Sequence, residues 1–292
     1  MRSAIGRGTD ATGLWSILKL AASDWLRHRS PRLGAALAYY SVFSLGPLLL
    51  IVTAIAGLIW GGDGARSSIV SQFRALVGES GGQAIEAMLQ GASSSVAGGW
   101  SAVIGVSLLL GAAIGVVVQL KDALNTIFEV SEPKNAGASW YAKVYGSAFA
   151  GILVLGFLLA VSLVLSALLA AFSERLIGST TASLLLSAIN FAVSLGMLTL
   201  LFSMLFKWLP DKQMEWQDVW LGGFITALMF NVGKSAIAWY IGTQGLESTY
   251  GAAASVVVLL IWVYYSSQIL LFGAEITQAY AAHRQAAEAQ NP

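Results

Sequence analysis

Residues 99–120 read GWSAVIGVSLLLGAAIGVVVQL, a run without one charged side chain. A hydrocarbon core about 30 Å thick takes roughly 20 mainly apolar residues of helix to cross, so this run predicts a transmembrane helix. The same signature recurs at residues 34–60, 140–172, 182–206, 219–241 and 251–280. These are continuous apolar runs, not the alternating ten-residue segments of an outer-membrane barrel. The expected fold class is therefore all-α, a polytopic membrane protein built as a six-transmembrane-helix bundle. Composition agrees: of 292 residues, 57% are hydrophobic and 11% charged, against about 25% charged in an ordinary soluble domain.

The flanks of these runs give an orientation. Lys and Arg cluster in the N-terminal segment (Arg2, Arg7, Lys19, Arg27, Arg29, Arg32), after the second run (Lys121, Lys134, Lys143), after the fourth (Lys207, Lys212) and in the tail (Arg284), whereas the other side holds Arg66, Arg74 and Arg175. The positive-inside rule then places both termini in the cytoplasm, with the helices in an inner or plasma-type membrane. This divides the chain into a cytoplasmic N-terminus (1–33), a transmembrane domain (34–280) with an external segment (61–98), and a cytoplasmic tail (281–292). Within the first of these, Leu14, Trp15, Leu18, Ala22 and Trp25 recur at helical spacing and predict an interfacial helix; a helix packed on cytoplasmic loops is the alternative. Lys19 and Asp24 interrupt the stretch and no small-residue cleavage site follows, so it does not read as a cleavable signal. His28 reads as a polar residue at headgroup level. In the external segment, Ile69, Phe73, Leu76 and Val77 form one stripe and Ile85, Met88 and Leu89 another, predicting two short amphipathic helices resting on the outer surface, either as a lid or as a passive cover.

Several chemistries have no residues to run on. The chain has no cysteine, which excludes disulfides, zinc-thiolate sites, iron-sulfur clusters and thiol nucleophiles. Two histidines are too few for a His-rich metal site, and a net charge of +1 supplies no basic field for nucleic acid. Asp122, Glu129, Glu132, Asp211, Glu215 and Asp218 are spread over two loops without a paired-carboxylate motif, unlike a two-metal nuclease. No Walker loop, nucleophile elbow or His-Glu-x-x-His helix is present, so no cofactor and no enzymatic activity are expected.

Small-xxx-small pairs (Gly57 and Gly61, Gly111 and Gly115, Gly146 and Ala150, Gly156 and Ala160, Ala238 and Gly242) predict close helix approaches. Pro47 lies inside the first run and predicts a kink, structural or hinge-like. Charge within a span is costly, about 2.5 to 3.5 kcal/mol at the centre, and marks function by default. Two residues qualify. Lys234, with Asn231 one turn before it, lies near the outer end of the fifth run, on a level with Asn190 and below Glu247 and Tyr250. Glu275 lies near the cytoplasmic end of the sixth run, on a level with Tyr40, Gln119, Asp122 and Asn125, which are expected to form an inner polar cluster with it. Counting residues inward from the outer ends separates Lys234 from Glu275 by some 25 Å, too far for a salt bridge.

Six stretches in order, Leu37-Ala-Tyr-Tyr-Ser-Val-Phe-Ser-Leu-Gly-Pro47, Gly99-Trp100 through Gln119-Leu-Lys-Asp-Ala-Leu-Asn125, Leu209-Pro-Asp211 with Trp216, Gly233-Lys234, Ser248-Thr-Tyr-Gly251, and Leu260-Ile-Trp-Val-Tyr-Tyr-Ser266 through Gly273-Ala-Glu275, resemble the YihY/BrkB family of bacterial inner-membrane proteins. The resemblance runs from about residue 14 to 282. It implies six membrane helices and a role in envelope transport, through the family's links to serum resistance and export of lipopolysaccharide precursors. It also brings an old "ribonuclease BN" label that these residues do not support. Tyr40, Pro47, Gln119, Asp122, Asn125, Asp211, Lys234, Tyr250 and Glu275 match family positions, with no catalytic set to carry over. Three readings stay open. The first is a flippase-like translocator of an anionic, lipid-linked envelope component, in contact with membrane lipids, using Lys234 and Asn231. The others are an ion or small-solute carrier using Glu275, and a non-transporting scaffold for envelope assembly.

Overall fold

A computed structural model describes residues 14–60, 62–77, 79–95, 99–130, 146, 180–243 and 254–290. Among them every regular element is a helix: α1 (Leu14–Arg27), α2 (Ser30–Trp60), α3 (Gly62–Val77), α4 (Glu79–Ser95), α5 (Gly99–Ile127), α6 (Thr180–Trp208), α7 (Trp216–Thr243) and α8 (Ala254–Gln290). The apolar runs at 34–60, 99–120, 182–206 and 219–241 fall inside α2, α5, α6 and α7, and most of 251–280 falls inside α8. The run at 140–172 lies outside the described residues apart from Gly146, as do Glu247 and Tyr250. Among the described residues, three stretches are long and apolar enough to cross a membrane, Phe191–Trp208, Trp216–Ile241 and Val256–Ala289. The helix of α2 continues through Pro47 without ending there.

The bundle is centred on α8. Its Leu271 and Ala274 pack with Leu124, Ile127 and Phe128 of α5 and its C-terminal turn, with Phe206 of α6 and with Val219 and Ala227 of α7, in one apolar core that Leu37 of α2 joins. Helices α7 and α8 approach closely at two Gly-x-x-x-Thr repeats that face each other in opposite directions. A Cβ on Gly222 would meet the side chain of Thr277, with Thr277 Cβ at 2.9 Å; a Cβ on Gly273 would meet Thr226, with Thr226 Cβ at 2.9 Å. Each threonine hydroxyl is spent within its own helix, Thr226 Oγ1 donating to the Gly222 carbonyl at 2.6 Å and Thr277 Oγ1 to the Gly273 carbonyl at 2.8 Å. The hydroxyl oxygen and Cβ of each threonine are thereby the atoms that fill the opposing notch. Gly223 gives α6 the same access through Ser203, whose hydroxyl donates to the Val219 carbonyl at 3.1 Å. Of the expected pairs, Gly111 and Gly115 make no such approach among the described residues: a Cβ on Gly111 meets nothing within 4 Å, and one on Gly115 meets Tyr40 at 3.8 Å.

Two other expectations change. Helix α1 does not bury the face containing Trp15 and Ala22. Ile17 and Ala21 are the buried residues, packed with Ile276 and Ala279 of α8 and flanked by Ile225 and Met229 of α7, while Trp15 is exposed. Helix α1 docks on two long helices, so its best-buried positions are those that fit between them. Helices α3 and α4 do not rest over the bundle either. Ile69 and Val70 of α3 and Ile85 and Leu89 of α4 pack with Val42 and Leu49 of α2 and Leu259 of α8, so the pair runs back alongside those helices. The outward face of α3 carries Ser67, Ser68, Ser71 and Gln72, all exposed.

Candidate functional site

The joint between α1 and α2 positions the first polar centre. Arg29 takes a left-handed conformation (φ 56°), which stops α1 and lets α2 start at once, with Arg32 N–H donating back to the Arg29 carbonyl at 2.8 Å. His28 is thereby turned inward against α8. Its Nδ1 lies 3.0 and 3.2 Å from the two carboxylate oxygens of Glu275, and Ser30 Oγ, the first residue of α2, donates to Oε1 at 3.1 Å. Glu275 is 1% exposed, so these two groups replace the water a carboxylate would otherwise hold. Hydrogen bonds to a charged group are worth about 1.5 to 3 kcal/mol each.

The imidazole reaches outward as well. His28 Nε2 stands 3.6 Å from Glu129 Oε1, and the same oxygen accepts from Arg27 at 2.8 Å, which also meets Asp24 at 3.1 Å. Glu129 is held there by its own left-handed backbone (φ 54°), which closes α5 with Val130 N–H donating to the Asn125 carbonyl at 2.9 Å. Burial of Arg27 is outweighed by Asp24 and Glu129, and its pKa is raised.

A second centre holds the loop between α6 and α7. Asn125 donates to Asp211 Oδ2 and accepts from the Asp211 backbone N–H, both at 2.9 Å. Lys121, itself buried, pairs with Asp211 at 2.8 Å. Lys207 caps the same loop through the Met214 carbonyl at 2.6 Å and sits over the Trp216 ring. Farther round, Arg284 of α8 grips the buried Asp218 at 2.9 and 3.1 Å and also reaches Glu215. Lys212 donates to Gln278 at 2.8 Å; partial burial lowers its pKa, against the pull of Glu129 and Asp218.

The expected inner cluster is therefore divided. Glu275 joins His28 and Ser30, and Asn125 joins Asp211 and Lys121. Tyr40 belongs to neither: Ser30, not Tyr40, lies level with Glu275, and Tyr40 is ten residues farther along α2, about 15 Å. It is exposed and stacks edge-on against Tyr39 with ring centroids 5.7 Å apart. Gln119 is half-buried and Asp122 exposed, and neither is placed against Glu275. His28 is a half-buried partner of Glu275; the signal for that contact is its position between two helical patterns, at the turn that must fold back onto the bundle.

At the far end of α7, Asn231 is buried with its amide donating to the Ala227 carbonyl at 3.0 Å. Lys234 is half-buried and, among the described residues, makes no ion pair or hydrogen bond. Asn190 lies within α6. The contacts of α7 with α8 place Gly233 against Tyr265, so Lys234 lies about ten residues, or 15 Å, from the level of Glu275 and not 25 Å. The earlier figure assumed that α7 and α8 end at the same height, whereas the observed register carries α8 past α7. Opposite this turn, Trp262 meets Phe230 edge-on at 6.2 Å, and its indole Nε1 is buried without a partner among the described residues. No group of three or more metal-ligating side chains occurs among the described residues.

Comparison with known proteins adds the following. The profile of the family described as "Virulence factor BrkB" matches residues 21–292. A UPF0761 membrane protein of Pseudomonas paraeruginosa is 29% identical over 260 residues, covering 88% of this chain and 60% of that protein. A UPF0761 membrane protein of Mannheimia succiniciproducens is 26% identical over 248 residues, covering 83% of this chain and 81% of its own length. One from Methylibium petroleiphilum is 32% identical over 181 residues, 61% of this chain and 41% of that one. The chain thus spans about 60% of the length of the Pseudomonas relatives. No solved structure matches it.

Proposed function

The chain belongs to the BrkB family of membrane proteins, and from that premise we propose that it is a non-enzymatic translocator of an anionic, lipid-linked envelope component in a bacterial inner membrane. In this reading α2, α5, residues 140–172, α6, α7 and α8 make six crossings, and both termini are cytoplasmic, as the distribution of Lys and Arg favours.

The observation that carries the reading is Lys234. It lies within the apolar stretch Trp216–Ile241, where a cation without a partner costs about 2.5 to 3.5 kcal/mol near the centre of a bilayer. A negatively charged headgroup offsets that cost. The indole N–H of Trp262, unpartnered among the described residues and on the facing helix near the same level, adds a second donor, which favours an anion over a cation. Exposed Trp239, Tyr240 and Val232 on the same helix present an apolar surface for acyl chains beside it.

The test is transport of a fluorescent phosphate-bearing lipid in proteoliposomes holding the intact protein. Lys234→Ala and Lys234→Gln lose movement of the anionic lipid, and Lys234→Arg keeps most of it. Equal transport by all three variants, each verified as folded, removes the role assigned to Lys234.

A further inference from the structure

We infer that Glu275 is a proton-binding site that is loaded from the surface through His28, with Glu129 as its outer end. The translocation reading uses neither Glu275 nor His28, so this inference stands apart from it.

The arrangement has the parts a proton relay needs. A carboxylate at 1% exposure has no solvent of its own. The imidazole beside it touches it with one ring nitrogen and turns the other toward a carboxylate that is half exposed. Imidazole is the side chain that ordinarily exchanges protons in the physiological range. The gap from His28 Nε2 to Glu129 Oε1 is 3.6 Å, slightly beyond a hydrogen bond and within reach of a small rotation of the exposed glutamate. Among the described residues no other ionisable group bonds to the Glu275 carboxylate.

Charge counting points the same way. The groups facing this centre are Asp24 and Arg27 from α1, His28 from the joint, Ser30 from α2, Glu129 from the end of α5, Lys212 from the α6–α7 loop and Glu275 from α8. Arg29 and Arg32 of the same joint are exposed and make no ion pair among the described residues. Three carboxylates therefore meet two fixed cations, and one proton shared between His28 and Glu275 balances the set. Because the pair is buried, leaving that charge unbalanced is costly.

Transfer conserves atoms and charge. Protonated Glu129 gives its proton to Nε2 of His28 while Nδ1 gives its proton to Glu275. The ring ends as the other neutral tautomer, Glu129 as a carboxylate and Glu275 as the acid; exchange of the ring proton with solvent resets the imidazole. Seven residues along the same face of α8, about 10 Å, Gln268 lies against Gly34 with its amide nitrogen and oxygen both buried and unpartnered among the described residues. It offers the next donor and acceptor along the seam between α2 and α8.

The experiment is infrared difference spectroscopy of the full chain in lipid nanodiscs, with pH lowered through the neutral range and the solvent switched to D2O. A buried carboxylic acid band grows as pH falls and is absent in Glu275→Gln. In Glu129→Gln, which leaves the His28–Glu275 contact in place, the band persists but its hydrogen–deuterium exchange slows about 10²-fold, the lower end of what a positioned acid–base group supplies. His28→Gln slows it similarly. No such band at any pH, a band indifferent to Glu275→Gln, or exchange in Glu129→Gln as fast as in the parent overturns the inference. Since Glu129 lies at the surface, its variant decides the matter even if His28→Gln fails to fold.

Discussion

Replacing Gly273 with alanine tests whether the α7–α8 notches set the spacing of the bundle. In a helix interior with free space around it, Gly→Ala is favourable by about 1 kcal/mol. At Gly273 the new methyl meets Thr226 Cβ at 2.9 Å and Cγ2 at 3.0 Å, with Oγ1 nearer still. Thr226 cannot swing clear without giving up its bond to the Gly222 carbonyl. The helices must then part by about half an ångström, and overpacking of this kind costs about 1 to 3 kcal/mol. The net change is a loss of up to about 2 kcal/mol. Gly111, where a Cβ meets nothing within 4 Å, supplies the reference, because Gly111→Ala retains the intrinsic gain without the clash. Equilibrium unfolding in mixed micelles should separate the two variants by roughly 5- to 150-fold in the folded-to-unfolded ratio. Adding Thr226→Ala to Gly273→Ala should restore part of the difference but not all, since the Thr226 Cβ itself stands in the way. If Gly273→Ala is as stable as Gly111→Ala, or if Thr226→Ala gives no relief, the notches do not set the spacing.

Other outcomes follow from the ion-paired end. Asp211→Ala removes the partner of buried Lys121 and the carboxylate that accepts from Asn125 Nδ2, while the backbone N–H bond to Asn125 stays; with Asp211 partly exposed, the loss is about 1 to 3 kcal/mol, and thermal unfolding of the detergent-solubilised protein measures it. Arg284→Lys should lower the melting temperature nearly as much as Arg284→Ala, because a lysine cannot reproduce the two-nitrogen grip on Asp218; full recovery by lysine would show that charge alone matters there. The lowered pKa of Lys212 means that the folded chain binds this proton less tightly than the unfolded chain. Stability should therefore rise with pH across the window just below 10.5. Lys212→Gln should flatten that slope in denaturation series run at stepped pH.

The helices and their approximate limits were legible because each apolar run is its own signal. Residues 182–206 and 219–241 need no partner to be recognised. Register was not legible. Lys234 and Glu275 were set 25 Å apart by assuming that neighbouring helices end together, and only the pairing of Gly222 with Thr277 and Gly233 with Tyr265 shows the offset. The polar residues divide in the same way. That Glu275 is an intramembrane charge can be read from its flanks, but its partner His28 is 247 positions away and carries no local mark of burial. Gly-x-x-x-Thr was passed over for Gly-x-x-x-Gly because sequence spacing marks where two helices can approach and not which of many small residues a particular neighbour chooses. For α1, periodicity gave a helix correctly while the buried face depended on two helices encoded more than two hundred residues later.

Two reciprocal notches do more than bring helices close. With the hydroxyl and Cβ of a threonine seated against each opposing glycine, α7 and α8 resist sliding along one another in either direction, much as a double dowel fixes two boards. The pair therefore behaves as one rigid beam. Any relative movement of helices in this bundle is then left to seams without such keys, such as α2 against α5, where a Cβ on Gly115 would meet Tyr40 in ordinary contact.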